Sequence, residues 1–161
     1  MTVDALTATL EPVELAYLNA LRLRAALLWG PLLIGSLLLD RLVLAATPVA
    51  GLAPVAVGLF AHGAILVAPR RVYRRLGFAI DARLLRIVRG WLFHADTIIP
   101  LVRVQHIDVT AGPVDKLFGI ATLVVHTAGT HNSIVTLPGL SPARAADIRE
   151  AIRSKIRADT E

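Results

Sequence analysis

Residues 25–69 read AALLWGPLLIGSLLLDRLVLAATPVAGLAPVAVGLFAHGAILVAP, and across those 45 positions the only charges are the adjacent Asp40 and Arg41. A helix rising about 1.5 Å per residue needs roughly 20 apolar residues to cross a bilayer. The stretch is long enough for two crossings. Pro48, Gly51 and Pro54 cluster where a turn is needed, because proline and glycine punctuate helical patterns. The spacing therefore predicts a hairpin of two transmembrane helices, about 25–45 and 51–69, turning through Thr47-Pro48-Val49-Ala50-Gly51. Asp40 and Arg41 fall in the last turns of the first helix near the outer interface, where Arg41 can snorkel.

The rest of the chain agrees with this partition. Of 161 residues, 55% are hydrophobic and only 5% aromatic, with a mean hydropathy of +0.65. That is more apolar than a water-soluble domain carries. There is no cysteine, which excludes disulfides, a thiol nucleophile and thiolate metal ligands. Basic residues flank the apolar stretch, Arg22 and Arg24 before it and Arg70, Arg71, Arg74 and Arg75 after it, whereas only Arg41 lies on the hairpin side. The excess of cations on cytoplasmic flanks predicts that both termini are cytoplasmic and that the chain is a two-span protein of the cell membrane. A cleaved signal peptide fits poorly, since the first residues are acidic (Asp4, Glu11, Glu14) and a second apolar run follows at once.

Residues 1–24 read as a cytoplasmic, interfacial lead-in. Glu11-Pro12-Val13-Glu14 resembles a helix start, with Leu15, Leu18 and Leu21 as its apolar stripe. Within the second span, His62 is the one strongly polar side chain. Ionisable residues inside membranes are functional candidates by default, but a neutral imidazole bonded to the first helix or to its own backbone is the favoured reading, because no acid lies at similar depth.

From residue 70 the pattern changes to short apolar runs between turns. Phe78 and Ile80 alternate with other residues, Asp81-Ala82-Arg83 reads as a tight turn, and Leu85 and Ile87 continue to Gly90. Trp91–Phe93 and Thr97–Ile99 suggest a further short pair. Val102–Thr110 is β-rich but changes face, which a bulge near Gln105-His106 reconciles. After Gly112-Pro113 come a short turn to Phe118-Gly119, a strand over Ile120–Thr127, the polar loop from Ala128 to Asn132, and a strand over Ser133–Leu137. Such spacing indicates a compact antiparallel sandwich or barrel. Ser141-Pro142 then supplies a helix cap and first-turn proline. Ile148, Ile152 and Ile156, with Ala145, form one stripe of an amphipathic helix over 141–158 that should close the sheet structure.

Ile99-Pro100, Arg103-Val104-Gln105, Ile107, Val109, Gly112-Pro113, Phe118-Gly119, the run from Ala121 to Thr127-Ala128-Gly129, and Leu137-Pro138-Gly139 together resemble the bacterial PH-domain membrane proteins of the YdbS type. Asp81, Leu85, Gly90 and Thr97 fit that pattern, and the resemblance covers about residues 12–157. It implies a membrane α-helical hairpin plus an α+β PH-like domain at 70–161: about seven antiparallel strands closed by the C-terminal helix. It also implies a non-catalytic, membrane-anchored module, linked to envelope stress or defence against membrane-active peptides. Two positions depart from the family pattern, in which glutamine is frequent where Ala111 stands and a basic residue is frequent near Asp115. Gly90, Gly112, Gly119 and Gly129 suit tight turns or positive φ, and Pro100 and Pro113 suit edges or bends. Arg103 and Gln105 either bond backbone at the bulge, the favoured reading, or face a partner.

No phosphate-cradling glycine motif is present, and Gly139-Leu140-Ser141-Pro142-Ala143 lacks the second glycine of a nucleophile elbow. His62, His94, His106, His126 and His131 show no metal-ligand spacing, so no cofactor, metal or catalytic residue is expected. The strongest chemical feature is Arg70-Arg71-Val72-Tyr73-Arg74-Arg75. Its arginines can bind anionic headgroups at about 1 kcal/mol per basic residue near the surface, with Tyr73 and Trp91 at the interface; as a topology signal alone they are equally well explained. A nucleic-acid partner is disfavoured, because no groove-reading helix or aromatic platform accompanies the charge. The leading function is a scaffold contacting anionic lipid or an unidentified membrane or cytoplasmic protein, with strand addition at a sheet edge as one mode. The alternatives are a small oligomeric membrane enzyme, or a transporter or channel subunit. Ala64 and Ala68, one turn apart, would allow homo-oligomers.

Overall fold

The computed structural model describes residues 9–81, 83–91, 93–128 and 134–158. Helix α1 (Leu15–Leu39) continues through a π-turn (Asp40–Leu44), and after a short loop α2 (Leu52–His62), a second π-turn (Gly63–Val67) and α3 (Ala68–Arg74) return alongside it. Both rods, Leu15–Leu44 and Leu52–Arg74, are long and apolar enough to span a bilayer. Leu27, Leu28, Leu32, Leu38, Leu42, Leu59 and Phe60 are all exposed, a surface that lipid solvates and water does not. Trp29 stacks on Phe60 with ring centroids 6.4 Å apart, and Leu33 packs beside Gly58. At the outer end the buried Asp40 (7% exposed) accepts a 2.6 Å hydrogen bond from the Gly51 N–H. Its carboxylate thereby closes the turn from within, while Arg41 stays exposed.

The head has two antiparallel sheets. One is ordered β1 (Glu11–Pro12), β2 (Gly77–Ile80), β3 (Leu84–Gly90), β4 (His94–Pro100); the other β5 (Val104–Thr110), β6 (Ala121–Thr127), β7 (Ile134–Leu140). Alternation works as expected: Leu85 and Ile87 on β3, and Leu123 and Val125 on β6, are fully buried. A 3₁₀ turn (Leu101–Arg103) joins the sheets, and α4 (Pro113–Leu117) joins β5 to β6. Helix α5 (Pro142–Ala158) packs on β5, β6 and the 3₁₀ turn. The Ser141 hydroxyl accepts from the Arg144 N–H at its start, and Ala145, Ile148 and Ile152 enter the core. The expected bulge is present, with the β5–β6 register shifting between Val104 and His106.

Three expectations are corrected. Glu11–Pro12 does not start a helix: it is an edge strand paired with Phe78 and Gly77, and α1 begins at Leu15. Trp91 and Phe93 are not strand but part of the connection between β3 and β4. The first turns of α1 are not an interfacial lead-in built on Leu15, Leu18 and Leu21, of which Leu21 alone packs against the core. Val13, Tyr17 and Ala20 are buried in the head's core, Ala20 completely, while Leu15 is exposed. The spacing 13, 17, 20, 24 is itself a helical stripe, and it ends in Arg24, whose Nη2 bonds Asp115 Oδ1 at 2.6 Å.

Two features make that docking close. The Glu14 N–H donates to the Gly139 carbonyl at 2.8 Å. Gly139 has φ +80, and a Cβ there would lie 2.7 Å from Tyr17 Cγ, so only glycine lets the chain pass beneath the ring. On the other side Arg144 bonds Glu11 and the Pro12 carbonyl, with its guanidinium over the Phe78 ring at 5.2 Å. A boundary at residue 70 therefore divides a core to which residues 13–20 contribute.

Candidate functional site

Arg70, Arg71, Arg74 and Arg75 follow the second span at spacings that place them on one side and one flank of α3. All four are exposed. Pro69 lies inside the continuous rod Leu52–Arg74, just after the π-turn Gly63–Val67, where it withholds one N–H from the helical ladder, and the rod still carries Arg70, Arg71 and Arg74 to its end. Arg71 and Arg74 form the wall between two open cavities. One, of about 540 Å³, runs along the hairpin and is lined by Leu18, His62, Leu66, Val67, Arg70, Arg71, Tyr73 and Arg74. The other, of about 640 Å³, lies between Arg71, Arg74, Arg75 and Trp91. Among the described residues no acid lines either cavity, and none of the four guanidinium groups forms an ion pair. Like charges gathered without a counter-charge create a positive potential that attracts anions.

Aromatic residues border this charge. The Arg75 Nη1 donates to the Trp91 carbonyl at 2.9 Å, which ties the β3–β4 connection to the base of α3. Phe93 in the same connection is 86% exposed. The turn depends on Gly90: at φ +154, a Cβ would meet the Phe93 carbonyl oxygen at 2.2 Å. Tyr73 lines the first cavity, and its hydroxyl donates to the Val13 carbonyl at 3.3 Å, which ties α3 to the start of α1.

His62 departs from expectation. Counting along the antiparallel helices from the Trp29–Phe60 and Leu33–Gly58 contacts places it about one turn beyond Arg24 toward the bilayer centre. It is exposed, makes no hydrogen bond to any described residue, and lines the first cavity with the arginines. The bonded, buried imidazole is therefore not what the structure contains.

The sheets, the closing helix and the apolar hairpin now stand beside a match to the bacterial PH domain family that covers residues 13–156. The chain belongs to the bacterial PH domain family. Its match starts at Val13, the first core residue of the docked segment. The chain is 30% identical over 88 residues to the UPF0699 transmembrane protein YdbS of Bacillus subtilis (strain 168), an overlap of 55% of this chain and 54% of that protein. It thus spans about half the length of the curated relative it matches. No solved structure matches.

The remaining residues singled out from the sequence are scattered over the head of this PH-domain protein. Pro100 ends β4. Arg103, in the 3₁₀ turn, has an exposed side chain and a carbonyl that accepts from the Ala128 N–H at 2.9 Å. Gln105, skipped by the β5–β6 register, is exposed as well. Gly119 adopts φ +63, but Gly112 does not need positive φ. At φ −74 it caps α4, and its N–H donates to Asp115 Oδ2 at 3.1 Å; Pro113 follows, exposed, as the first residue of α4. Asp115 itself is paired with Arg24 of α1. Gly129 and His131 lie outside the described residues.

One constellation was missed. His106 Nε2 lies 2.7 Å from Asp108 Oδ1, and His126 Nε2 lies 3.4 Å from Asp108 Oδ2. Alternation puts His106 and Asp108 on one face of β5, and the register places His126 opposite His106. Among the described residues no group of three meets the geometry of a metal site.

Proposed function

We propose that this protein is a non-catalytic membrane scaffold whose PH-like head lies against the inner leaflet and contacts anionic headgroups through Arg71, Arg74 and Arg75. The observation that carries this reading is the acid-free pocket those guanidinium groups make with Trp91. Each exposed cation near an anionic leaflet is worth about 1 kcal/mol, and Trp91 and Phe93 supply the aromatic surface that favours the headgroup level. Four arginines at the end of the second rod, against Arg41 alone near the hairpin tip, support the reading that both termini are cytoplasmic. Single-cysteine variants in this cysteine-free chain test that orientation by labelling from either side.

The lipid contact is tested with the full chain in nanodiscs, in a Trp29→Phe background so that Trp91 alone reports. Its emission should shift to the blue as phosphatidylglycerol replaces phosphatidylcholine, and R71Q/R74Q/R75Q should abolish the dependence. Emission indifferent to lipid charge would overturn the reading.

A second reading concerns protein. Among the described residues strand β4 pairs only with β3, and β5 only with β6, so each ends its sheet there. Val102, Arg103 and Gln105 are exposed beside the β5 edge. A partner peptide adding to that edge would use backbone hydrogen bonds for affinity. A photo-cross-linker at Gln105 should then capture the same partner in membranes that one at Glu150, on α5, does not.

A further inference from the structure

The headgroup reading treats the arginines as a charged surface, but the first cavity has a more specific shape. In an uninterrupted α-helix, eight positions turn through about 800°, so His62 and Arg70 would stand about 80° apart. The π-turn Gly63–Val67 lies between them. A π-turn accommodates one extra residue, which reduces that offset to about 20°. His62, Leu66 and Arg70 therefore fall on one stripe, and all three line the same cavity. Side chains on a helix lean toward its N-terminus, which for α3 is the bilayer side, so Arg70, Arg71 and Arg74 lean toward His62.

The cavity thus has cations at its cytoplasmic end, the apolar side chains of Leu18, Leu66 and Val67 along its length, and a lone imidazole at its membrane end. An imidazole facing hydrocarbon without a hydrogen-bond partner is costly. A free phosphate would satisfy the arginines but leave Leu66, Val67 and His62 unused. A phospholipid meets all three requirements.

We propose that this groove holds one anionic phospholipid of the inner leaflet, with its phosphate at Arg70, Arg71 and Arg74 and an ester carbonyl accepting a hydrogen bond from His62. Its glycerol region lies on Leu18, Leu66 and Val67. The proposal rests on the anionic-lipid reading above and sharpens it from a surface to a stoichiometric site.

Native mass spectrometry of the full chain, released from nanodiscs of equal phosphatidylglycerol and phosphatidylcholine, tests it. One phosphatidylglycerol per chain should survive release, and phosphatidylcholine should not. R71Q/R74Q and His62→Leu should each reduce that retention by at least about tenfold, the loss of a charge-assisted or carbonyl hydrogen bond in a low-dielectric setting. His62→Gln keeps a donor and should stay near the parent. Equal retention of both lipids, or retention unchanged by His62→Leu, would overturn the groove. If the Trp91 shift with lipid charge persists while no lipid is retained, the groove fails and the surface contact stands. If neither responds, both fall.

Discussion

Helix α1 is one rod in two solvents. From Tyr17 to Arg24 it is part of a protein core: Ala20 is sealed, Tyr17 rests on Gly139, and Arg24 reaches a buried carboxylate. From Leu27 to Leu39 it presents leucines outward, most of them more than half exposed. Composition already separates these lengths, because Asn19, Arg22 and Arg24 lie in the first and the second carries no charge. Packing separates them further, by which side chain is small and where the polar groups find partners. In the docked length an alanine lies where the helix meets the sheet, whereas in the lipid length bulky side chains face out.

Substitutions can break that contrast. The largest effect should come from Tyr17→Ala, which empties a core position and should destabilise the head by about 3–5 kcal/mol. Leu28→Ala, at a lipid-facing position, should stay within about 0.5 kcal/mol. Melting followed by near-ultraviolet circular dichroism in detergent compares the pair, and equal effects would mean that α1 is not docked. Gly139→Ala attacks the same contact from the other side and should cost about 1–3 kcal/mol, through positive φ and the clash with the Tyr17 ring. Arg24→Ala leaves Asp115 buried with only the Gly112 N–H, at about 1–3 kcal/mol, and Arg24→Lys should recover part of that in the same melt.

At the hairpin tip, Asp40→Ala removes a buried acceptor from the Gly51 N–H and should cost about 1–2 kcal/mol. Its effect should be confined to the helices and leave the near-ultraviolet signal of the head unchanged. The smallest effect concerns pH. Hydrogen bonding to Arg86 holds the Asp96 carboxyl below its ordinary value, so the folded head binds fewer protons there than the unfolded chain. The pair's contribution is complete at neutral pH and fades only as pH falls below about 4. Asp96→Asn should remove that acid-side slope, and the small loss of stability it causes should be greatest at pH 7 and vanish in acid.

Much of this architecture is legible in the sequence for physical reasons. Hydrocarbon tolerates no run of charges, so residues 25–69 declare a hairpin. Alternation at Leu85/Ile87 and Leu123/Val125 declares strands, and isoleucines four apart declare the closing helix. The docking of α1 is not legible in the same way. Leu15, Leu18 and Leu21 offer a more hydrophobic stripe than Val13, Tyr17 and Ala20, and the choice between them is made by Gly139, more than a hundred residues away. Strand β1 is hidden because two residues carry no period. The arginine cluster is legible as charge, but its pairing with His62 depends on a π-turn that no residue type announces. The His106–Asp108–His126 contact depends on cross-strand register, and the bulge at Gln105 resets that register.

The docked end of α1 also makes the head a lever. A helix that fits a thicker or thinner bilayer changes its tilt, and this one passes straight from lipid into the packing of the sheets, with its partner rod joined by the Tyr73–Val13 bond. There is no slack linker at which such a rotation could be absorbed. Stretching, thinning or crowding of the leaflet would therefore swing the β-sheets as a unit and alter which of their edges faces solvent.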